Sequence, residues 1–157
     1  MKVSMTSHHQ RGMALLVSLV FLLLLTLIGI SSMQNATLQE KMAGSVALRN
    51  QSFQTAEAAL RIGESAVQLD TYVLPVCSGN QCAPPGESKT ITGAGFNSTS
   101  GVTWIAAGGG FYGVQNIGTT WDAVNMPSGS TTLYRVTAVA IAGNNVRTVV
   151  ESIYAKQ

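Results

Sequence analysis

The chain has 157 residues and a formal net charge of +2, and charged residues make up only 10% of it. Two of its nine basic residues, Lys2 and Arg11, lie before Met13, so the chain from Met13 onward has seven basic and seven acidic side chains. Because that balance lacks the basic footprint of a nucleic-acid-binding protein, we expect no nucleic acid among its partners.

The N-terminal region predicts a membrane span. A polar leader ends at Gly12, and no charged residue follows until Glu40. The run Met13–Ile30 is apolar apart from Ser18, Thr26 and Gly29, and a run of this length can cross a bilayer as a helix. Basic residues before the run and none just after it favour a cytoplasmic N-terminus. The rest of the chain is therefore predicted to lie outside the cytoplasm.

Three devices could place such a segment at an N-terminus: a removed secretory signal, a permanent anchor or a specialised leader. A secretory signal needs small residues at the exit of its apolar region. No A-x-A pattern occurs over Ser31–Ala36, where Gln34 takes the place of a small residue. An anchor or a specialised leader therefore fits better than ordinary signal cleavage.

A single helix is predicted from Met13 to about Asp70, because helix-forming residues dominate and no proline occurs before Pro75. Its first half is apolar all round and needs lipid or other hydrophobic helices. Its second half is amphipathic and needs a domain to pack on. Glu57 and Arg61, four residues apart, can form an ion pair on its flank. The predicted buried stripe of this second half, weakened by Arg49 and Gly63, consists of Met42, Val46, Phe53, Ala56, Leu60 and Val67.

After Tyr72, glycine, proline and β-branched residues increase, which indicates strands and turns. The clearest signal is a terminal hairpin, Thr132–Ala142 and Val146–Ala155, joined by Gly143-Asn144-Asn145. Shorter candidate strands are Lys89–Thr92, Val102–Ala106 and Phe111–Asn116. The predicted fold class is α+β, with a long N-terminal helix packed on a small antiparallel β-sheet.

Cys77 and Cys82, both beyond the membrane run, are predicted to form a disulfide, because paired cysteines are the rule in an oxidising compartment. Their spacing does not fit C-x-x-C redox chemistry. A zinc site would need two further ligands, and both histidines are in the leader. A disulfide that closes this short, turn-rich loop is therefore predicted to be structural.

This layout resembles a type IV pilin, and more closely the PilX-type minor pilins. Gln10-Arg11-Gly12-Met13 is similar to a prepilin peptidase site. Thr37–Gly44 and the F-x-x-A-E-A-A-L-R stretch at Phe53–Arg61 resemble the PilX group, and the strand Tyr134–Thr137 also fits. The resemblance extends over about residues 10–64.

The resemblance implies a processing site and a division of the chain. Cleavage would fall between Gly12 and Met13, with methylation of the new N-terminal amine. The implied segments are a leader (1–12), a transmembrane or filament-core half of the helix (13–34), an amphipathic half (35–70) and an antiparallel β globular domain (71–157). The implied membrane and filament-core residues are Leu15, Leu16, Val17, Leu19, Phe21 and Leu23.

One departure from the family concerns the fifth residue after the cleaved bond. Most pilins have glutamate there, and this chain has Val17. Some minor pilins and secretion-system pseudopilins at filament tips also lack the glutamate. The departure therefore favours a tip position over a place in the filament shaft.

The sequence lacks the constellations of an enzyme. Gly108–Gly113 matches G-x-G-x-x-G, but another predicted strand, not a helix, follows it, so a tight turn is expected there. After leader removal no histidine base would remain for a catalytic triad. Trp104, Phe111, Tyr112 and Trp121 fit a core better than a binding patch. We expect no enzyme activity, no cofactor and no metal.

The preferred hypothesis is a minor pilin that helps prime a type IV pilus, an adhesion and motility apparatus, and sits at or near its tip. The alternatives are a type II secretion pseudopilin and a membrane-anchored periplasmic protein of unrelated role. Expected partners are other minor pilins, the major pilin, prepilin peptidase, the pilus assembly platform and a tip adhesin. The expected location is the inner membrane, with a periplasmic C-terminal domain, and the assembled pilus at the cell surface.

Overall fold

The computed structural model describes residues 10–121, 129–143 and 145–157. Its first element is one helix, α1 (Gln10–Gln68), close to the predicted limits of Met13 and about Asp70. With no proline in this stretch, every residue can continue the helical hydrogen bonding. The leader residues before Gln10, Lys2 among them, lie outside the described residues.

The chain divides into two compact units, Met1–Ser45 and Val46–Gln157. In the first unit, the described residues are all helical, and those from Gly12 to Ser45 are exposed. The second unit contains the C-terminal part of α1 and every strand. Helix residues before Val46 therefore have no packing partner within their own unit.

The second unit is built around a five-stranded antiparallel sheet in which sequence neighbours pair, in the order β1-β2-β3-β4-β5. Two short 3₁₀ helices, Gly79–Cys82 and Gly86–Lys89, precede the sheet. The strands are β1 (Gly95–Phe96), β2 (Thr103–Ala107), β3 (Gly110–Thr120), β4 (Thr131–Ala142) and β5 (Val146–Lys156).

The predicted terminal hairpin is confirmed, since β4 and β5 pair without a register shift from Thr132↔Lys156 to Ala142↔Val146. Gly143 has φ 55°, the left-handed conformation that glycine adopts without a steric cost. Asn144, the middle residue of the predicted turn, lies outside the described residues. The glycine-rich loop before Phe111 is also a tight turn, between β2 and β3, as expected.

The predicted strand at Lys89–Thr92 is wrong. Lys89 ends the second 3₁₀ helix, and the amides of Thr90 and Ile91 both donate to the carbonyl oxygen of Glu87, at 2.8 and 2.9 Å. The Thr90 hydroxyl donates to the same oxygen at 3.1 Å. These local bonds take the backbone groups that a strand would offer to a neighbour. The first strand instead lies at Gly95–Phe96, which the sequence pattern did not indicate.

The C-terminal part of α1 packs on the face of β4 that contains Val136 and Ala138. Its buried residues follow helical spacing, and they are Ser52, Ala56, Ala59, Gly63 and Val67. The predicted stripe was therefore right at Ala56 and Val67, and Leu60 is half-buried against the same core. It was wrong at Met42, Val46 and Phe53, which are exposed. The buried stripe is made mostly of small residues, a pattern that periodicity of large apolar residues cannot detect. The predicted Glu57–Arg61 ion pair is present at 2.9 Å.

Gly63 lies at the closest approach of helix and sheet. A Cβ atom at this position would be 2.7 Å from Cγ1 of Val136 and 2.8 Å from Cδ2 of Tyr112. Both distances are well below ordinary van der Waals contact. The glycine that weakened the predicted stripe is thus the residue that lets the sheet approach the helix.

Candidate functional site

The apolar half of α1 is an exposed hydrophobic surface. The six predicted core residues Leu15, Leu16, Val17, Leu19, Phe21 and Leu23 are all exposed. Within the described part of the chain, α1 is the one helix long and apolar enough to cross a membrane. An apolar surface of this extent is unfavourable in water, so it is suited to a membrane or to packing against other apolar helices.

The polar side chains within this surface bond to the helix itself. The hydroxyl of Ser18 donates to the carbonyl oxygen of Leu15 at 2.8 Å, and that of Thr26 donates to the carbonyl oxygen of Leu23 at 2.8 Å. Hydroxyls satisfied in this way can enter an apolar environment at little cost. The two residues that interrupt the apolar run therefore do not prevent its insertion into lipid or a helix bundle.

Val17 lies in a purely apolar groove. The groove has a volume of about 150 Å³ and is lined by Leu16, Val17, Val20, Phe21 and Leu24. Val17 itself is 46% exposed. A neighbouring helix seated here would meet methyl groups and an aromatic ring, and no ionisable group.

The predicted processing residues, Gly12 and Met13, lie close to the start of α1, which begins at Gln10. The first four N–H groups of a helix have no partner within the helix. The Gly12–Met13 bond therefore lies in the part of the helix that unwinds most easily. Among the residues that the structure describes, a Cβ atom at Gly12 would meet nothing within 4 Å.

The predicted disulfide between Cys77 and Cys82 is present, with the two Cα atoms 5.2 Å apart. The amide of Cys77 donates to the carbonyl oxygen of Asn116 at 2.8 Å, next to a parallel bridge between Val76 and Asn116. The side-chain amide of Asn116 donates in turn to the carbonyl oxygen of Leu74 at 2.8 Å. The start of the loop is therefore attached to β3.

Arg135 attaches the other end of the disulfide loop to β4. Its Nη1 donates to the carbonyl oxygen of Cys82 at 2.6 Å and to Oε1 of Gln115 at 3.3 Å. Its Nε donates to Oε1 of Glu151 at 3.2 Å. Gln115 donates to the carbonyl oxygens of Gln81 and Ala83. A charged network on the sheet therefore holds the loop backbone.

This network explains an irregularity in the sequence pattern. Arg135 falls on the same strand face as Leu133 and Val139, which left the buried face of β4 undecided. The even-numbered residues of β4 face the helix, and the odd-numbered face carries the disulfide loop. Sequence reasoning missed the roles of Gln115, Asn116 and Arg135, and the only available signal was the charged residue in an apolar strand.

The aromatic residues divide between core and surface. Trp104 is buried and its Nε1 donates to Oε1 of Glu87 at 3.2 Å, while the hydroxyl of Ser100 donates to the same carboxylate. Tyr112 is buried against the helix. These two fit the core interpretation. Trp121 does not, because it is 74% exposed.

The ring of Tyr72, a residue just after the end of α1, packs edge to face on the ring of Tyr134, with the ring centroids 6.0 Å apart. Burial, followed by the effects of Tyr112 and Tyr134, raises the pKa of Tyr72 to about 12. Nζ of Lys156 donates to the main-chain oxygens of Leu69 and Tyr72, where the helix has ended. The end of β5 is therefore fastened to the end of the helix.

No group of three or more potential metal-ligating side chains occurs among residues 10–121, 129–143 and 145–157. The described surface consists of an apolar helix segment and a folded domain that carries a disulfide-closed loop. These features can bind other proteins and a membrane.

Comparison with known families gives one match. Residues 11–61 match the model of the family described as PilX N-terminal. No curated protein and no solved structure was found to match the chain. The matched segment includes most of α1.

Residues 11–61 are thus similar to the PilX N-terminal family, and the match confirms the resemblance to PilX-type pilins drawn from the sequence. One long apolar helix and an antiparallel sheet match the α+β, pilin-like architecture predicted from the sequence. The family and the helix together fit a membrane-anchored protein of pilus assembly.

Proposed function

We propose that this protein is a minor pilin that helps prime assembly of a type IV pilus and sits at or near its tip. The PilX N-terminal match supports the pilin class. Val17 supports the tip position. The proposed role is non-enzymatic: the subunit acts by contact with other pilins and with what the pilus tip meets.

The argument from Val17 concerns a buried charge. In pilins the glutamate at this position is thought to meet the N-terminal amine of the subunit already in place. A carboxylate in an apolar bundle is costly without such a partner. The first subunit to enter has no predecessor and so no amine to meet. Valine, in a groove lined only by apolar side chains, avoids the unpaired charge.

The same logic leaves the N-terminal amine available to the next subunit. We propose that prepilin peptidase cleaves between Gly12 and Met13 and that the amine of Met13 is methylated. The N-terminus then lies on the cytoplasmic side of the inner membrane, and the β domain lies in the periplasm. The glutamate of the next subunit in, including the major pilin, can bind the amine of Met13.

We propose that the two halves of α1 serve different neighbours. Residues 13–34 enter the membrane and then the filament core, through the exposed side chains of Leu15, Leu16, Leu19, Phe21 and Leu23. Residues 35–70 carry the β domain. The assembly platform receives the apolar half, and other minor pilins and a tip adhesin are expected beside the domain.

Mass spectrometry of the protein from its native membrane tests the processing step. We expect a mature chain that starts at a methylated Met13. An unprocessed chain in cells with active prepilin peptidase, or a chain cut near Ala36, would contradict the proposal. If a strain that lacks the protein no longer secretes exported proteins but makes normal pili, the assignment as a secretion pseudopilin is the better one.

Substitution of Val17 tests priming. In cells that lack the wild-type copy, Val17→Glu should reduce the number of pili per cell, because the first subunit would carry an unpaired carboxylate into the apolar bundle. Val17→Leu is the matched control and should support wild-type numbers. Val17→Glu protein that appears abundantly in filaments, with undiminished pilus numbers, would defeat the tip argument.

A further inference from the structure

The outer edge of the sheet carries an open strand. β5 (Val146–Lys156) has a strand neighbour on one side only, β4. Within the described residues, no other main-chain group bonds to its backbone. About half of the N–H and C=O groups of an edge strand point away from its neighbour and are free to pair with another chain.

β5 lacks the features that usually protect an edge. It contains no proline or glycine, and it pairs with β4 over its full length without a bulge. Natural edge strands are commonly short, bulged, or guarded by charged side chains. An edge of eleven residues with regular pairing is a suitable template for an added strand.

The charged side chains of β5 are engaged inside the domain. Nη1 of Arg147 donates to the carbonyl oxygen of Ser88 at 3.2 Å, and Glu151 accepts from Arg135. Lys156 binds main-chain oxygens at the end of the helix. On the strand face away from the helix, the exposed residues are Val149 (40% exposed), Glu151 and Ile153 (51% exposed), so two apolar side chains flank the carboxylate that Arg135 binds.

A groove on the helix side adds charge to this edge. It has a volume of about 590 Å³, and its lining residues are Arg49, Asn50, Phe53, Val146, Arg147 and Thr148. The lining contains no carboxylate, and because the Arg147 guanidinium is bonded to Ser88, Arg49 is the lining residue that can offer a cation to a ligand. Among the described residues, no ion-pair partner contacts the Arg49 guanidinium. A strand added beside Val146–Thr148 would pass this groove, where a carboxylate would have a partner.

We infer that β5 accepts an extended segment of another protein as a sixth strand. The segment carries apolar side chains at alternate positions and a carboxylate that faces Arg49. Main-chain bonds to β5 supply affinity, and Val149, Ile153 and the Arg49 groove supply selectivity.

A second copy of this chain fits the same edge less well. Two β5 strands paired antiparallel over their full length, with Val146 opposite Lys156, would place the two Glu151 residues directly opposite each other. Like charges in directly opposed positions are destabilising. The edge therefore favours a different polypeptide.

Hydrogen exchange on the full-length protein in detergent tests the inference. The probe is a synthetic peptide of the length of β5 that alternates valine and threonine, with one aspartate near the end that pairs with Val146. At about 1 mM peptide, the amides of residues 146–156 should exchange more slowly. The same peptide with alternate amides N-methylated should give no protection, because the ladder bonds are removed.

Reversing the charge on the peptide and on Arg49 tests whether the groove contributes to binding. Replacing the aspartate of the peptide with lysine should weaken binding about five-fold, the upper range for an exposed ion pair. Arg49→Glu should reverse that preference, so that the lysine peptide binds better than the aspartate peptide. Lys41→Glu, an exposed helix cation outside the groove, is the matched control and should leave the preference unchanged.

Three results would overturn the inference. They are no protection of residues 146–156 by the aspartate peptide, equal protection by the N-methylated peptide, and a concentration-dependent protection of β5 without any peptide, which would indicate self-pairing. An unchanged peptide preference in Arg49→Glu would exclude the groove. The inference does not use the Val17 argument, so its failure would leave the proposed pilus role standing.

Discussion

The guanidinium of Arg135 donates to the carbonyl oxygen of Cys82 at 2.6 Å. This contact joins the middle of β4 to the end of the disulfide loop across 53 residues of sequence. The side chain is mostly buried, and it also binds Glu151 and Gln115. The loop is therefore positioned by the sheet as well as by the disulfide.

Replacing Arg135 with methionine should destabilise the β domain. Arg135→Met keeps the chain length but leaves three acceptors without their donor, which should lower the free energy of unfolding by about 1–3 kcal/mol. Urea unfolding of the full-length protein in detergent, followed by tryptophan fluorescence, measures this. Arg61→Met, which breaks only the exposed pair with Glu57, is the control and should change stability by less than about 0.5 kcal/mol. Equal effects of the two variants would contradict the proposed anchoring.

Gly63→Ala should separate the helix from the sheet. The added Cβ would lie 2.7 Å from Cγ1 of Val136, and overpacking of this kind typically costs about 1–3 kcal/mol. The control is Gly44→Ala in the exposed part of α1, where a Cβ meets nothing within 4 Å. That variant should stabilise the helix by roughly 0.5–1 kcal/mol. Calorimetry of both variants checks the signs, and a stabilised Gly63→Ala protein would show that the close approach is incorrect.

Removal of the disulfide should loosen the loop without unfolding the domain. Cys77→Ser combined with Cys82→Ser releases a short loop, which should cost about 2 kcal/mol. The bonds from Asn116, Gln115 and Arg135 remain, so the strands should keep their protection in hydrogen exchange while residues 77–83 lose theirs. Collapse of protection throughout β3 and β4 would mean that the disulfide, and not the side-chain network, holds this region.

Stability should fall at high pH because of Tyr72. Its pKa is raised to about 12, chiefly by burial, above the ordinary value of about 10 in the unfolded chain. The stabilisation is therefore fully present below about pH 10 and is lost as the pH rises through the folded value. The melting temperature of the wild type should therefore fall relative to that of Tyr72→Phe between about pH 10 and pH 12. A gap between them that is constant from pH 8 to pH 12 would argue against a shifted Tyr72.

Much of the architecture follows from local pattern. The limits of α1 and the β4–β5 hairpin lie within a few residues of their predicted positions, because proline distribution, helix propensity and turn residues act over short distances. The disulfide between Cys77 and Cys82 was predicted from the oxidising compartment expected beyond the membrane span. The exposed apolar side chains of Leu15, Leu16, Val17, Leu19, Phe21 and Leu23 follow from the apolar run, whereas their role in a filament core is what the pilin resemblance implies.

The remaining features depend on contacts between distant residues. The strand predicted at Lys89–Thr92 does not form, because the amides of Thr90 and Ile91 donate to the carbonyl oxygen of Glu87. The burial of Gly63 depends on Val136 and Tyr112, which are far from it in sequence. The role of Arg135 depends on a backbone oxygen, and no spacing rule indicates which carbonyl a long side chain will reach.

The tip position is the central claim, and labelling of intact pili tests it most directly. An antibody raised against residues 72–157, used in electron microscopy of sheared and purified filaments, should label at or near one end of each pilus. The amount of this subunit should be far below that of the major pilin. Label spread evenly along the shafts, at levels close to those of the major subunit, would contradict the account.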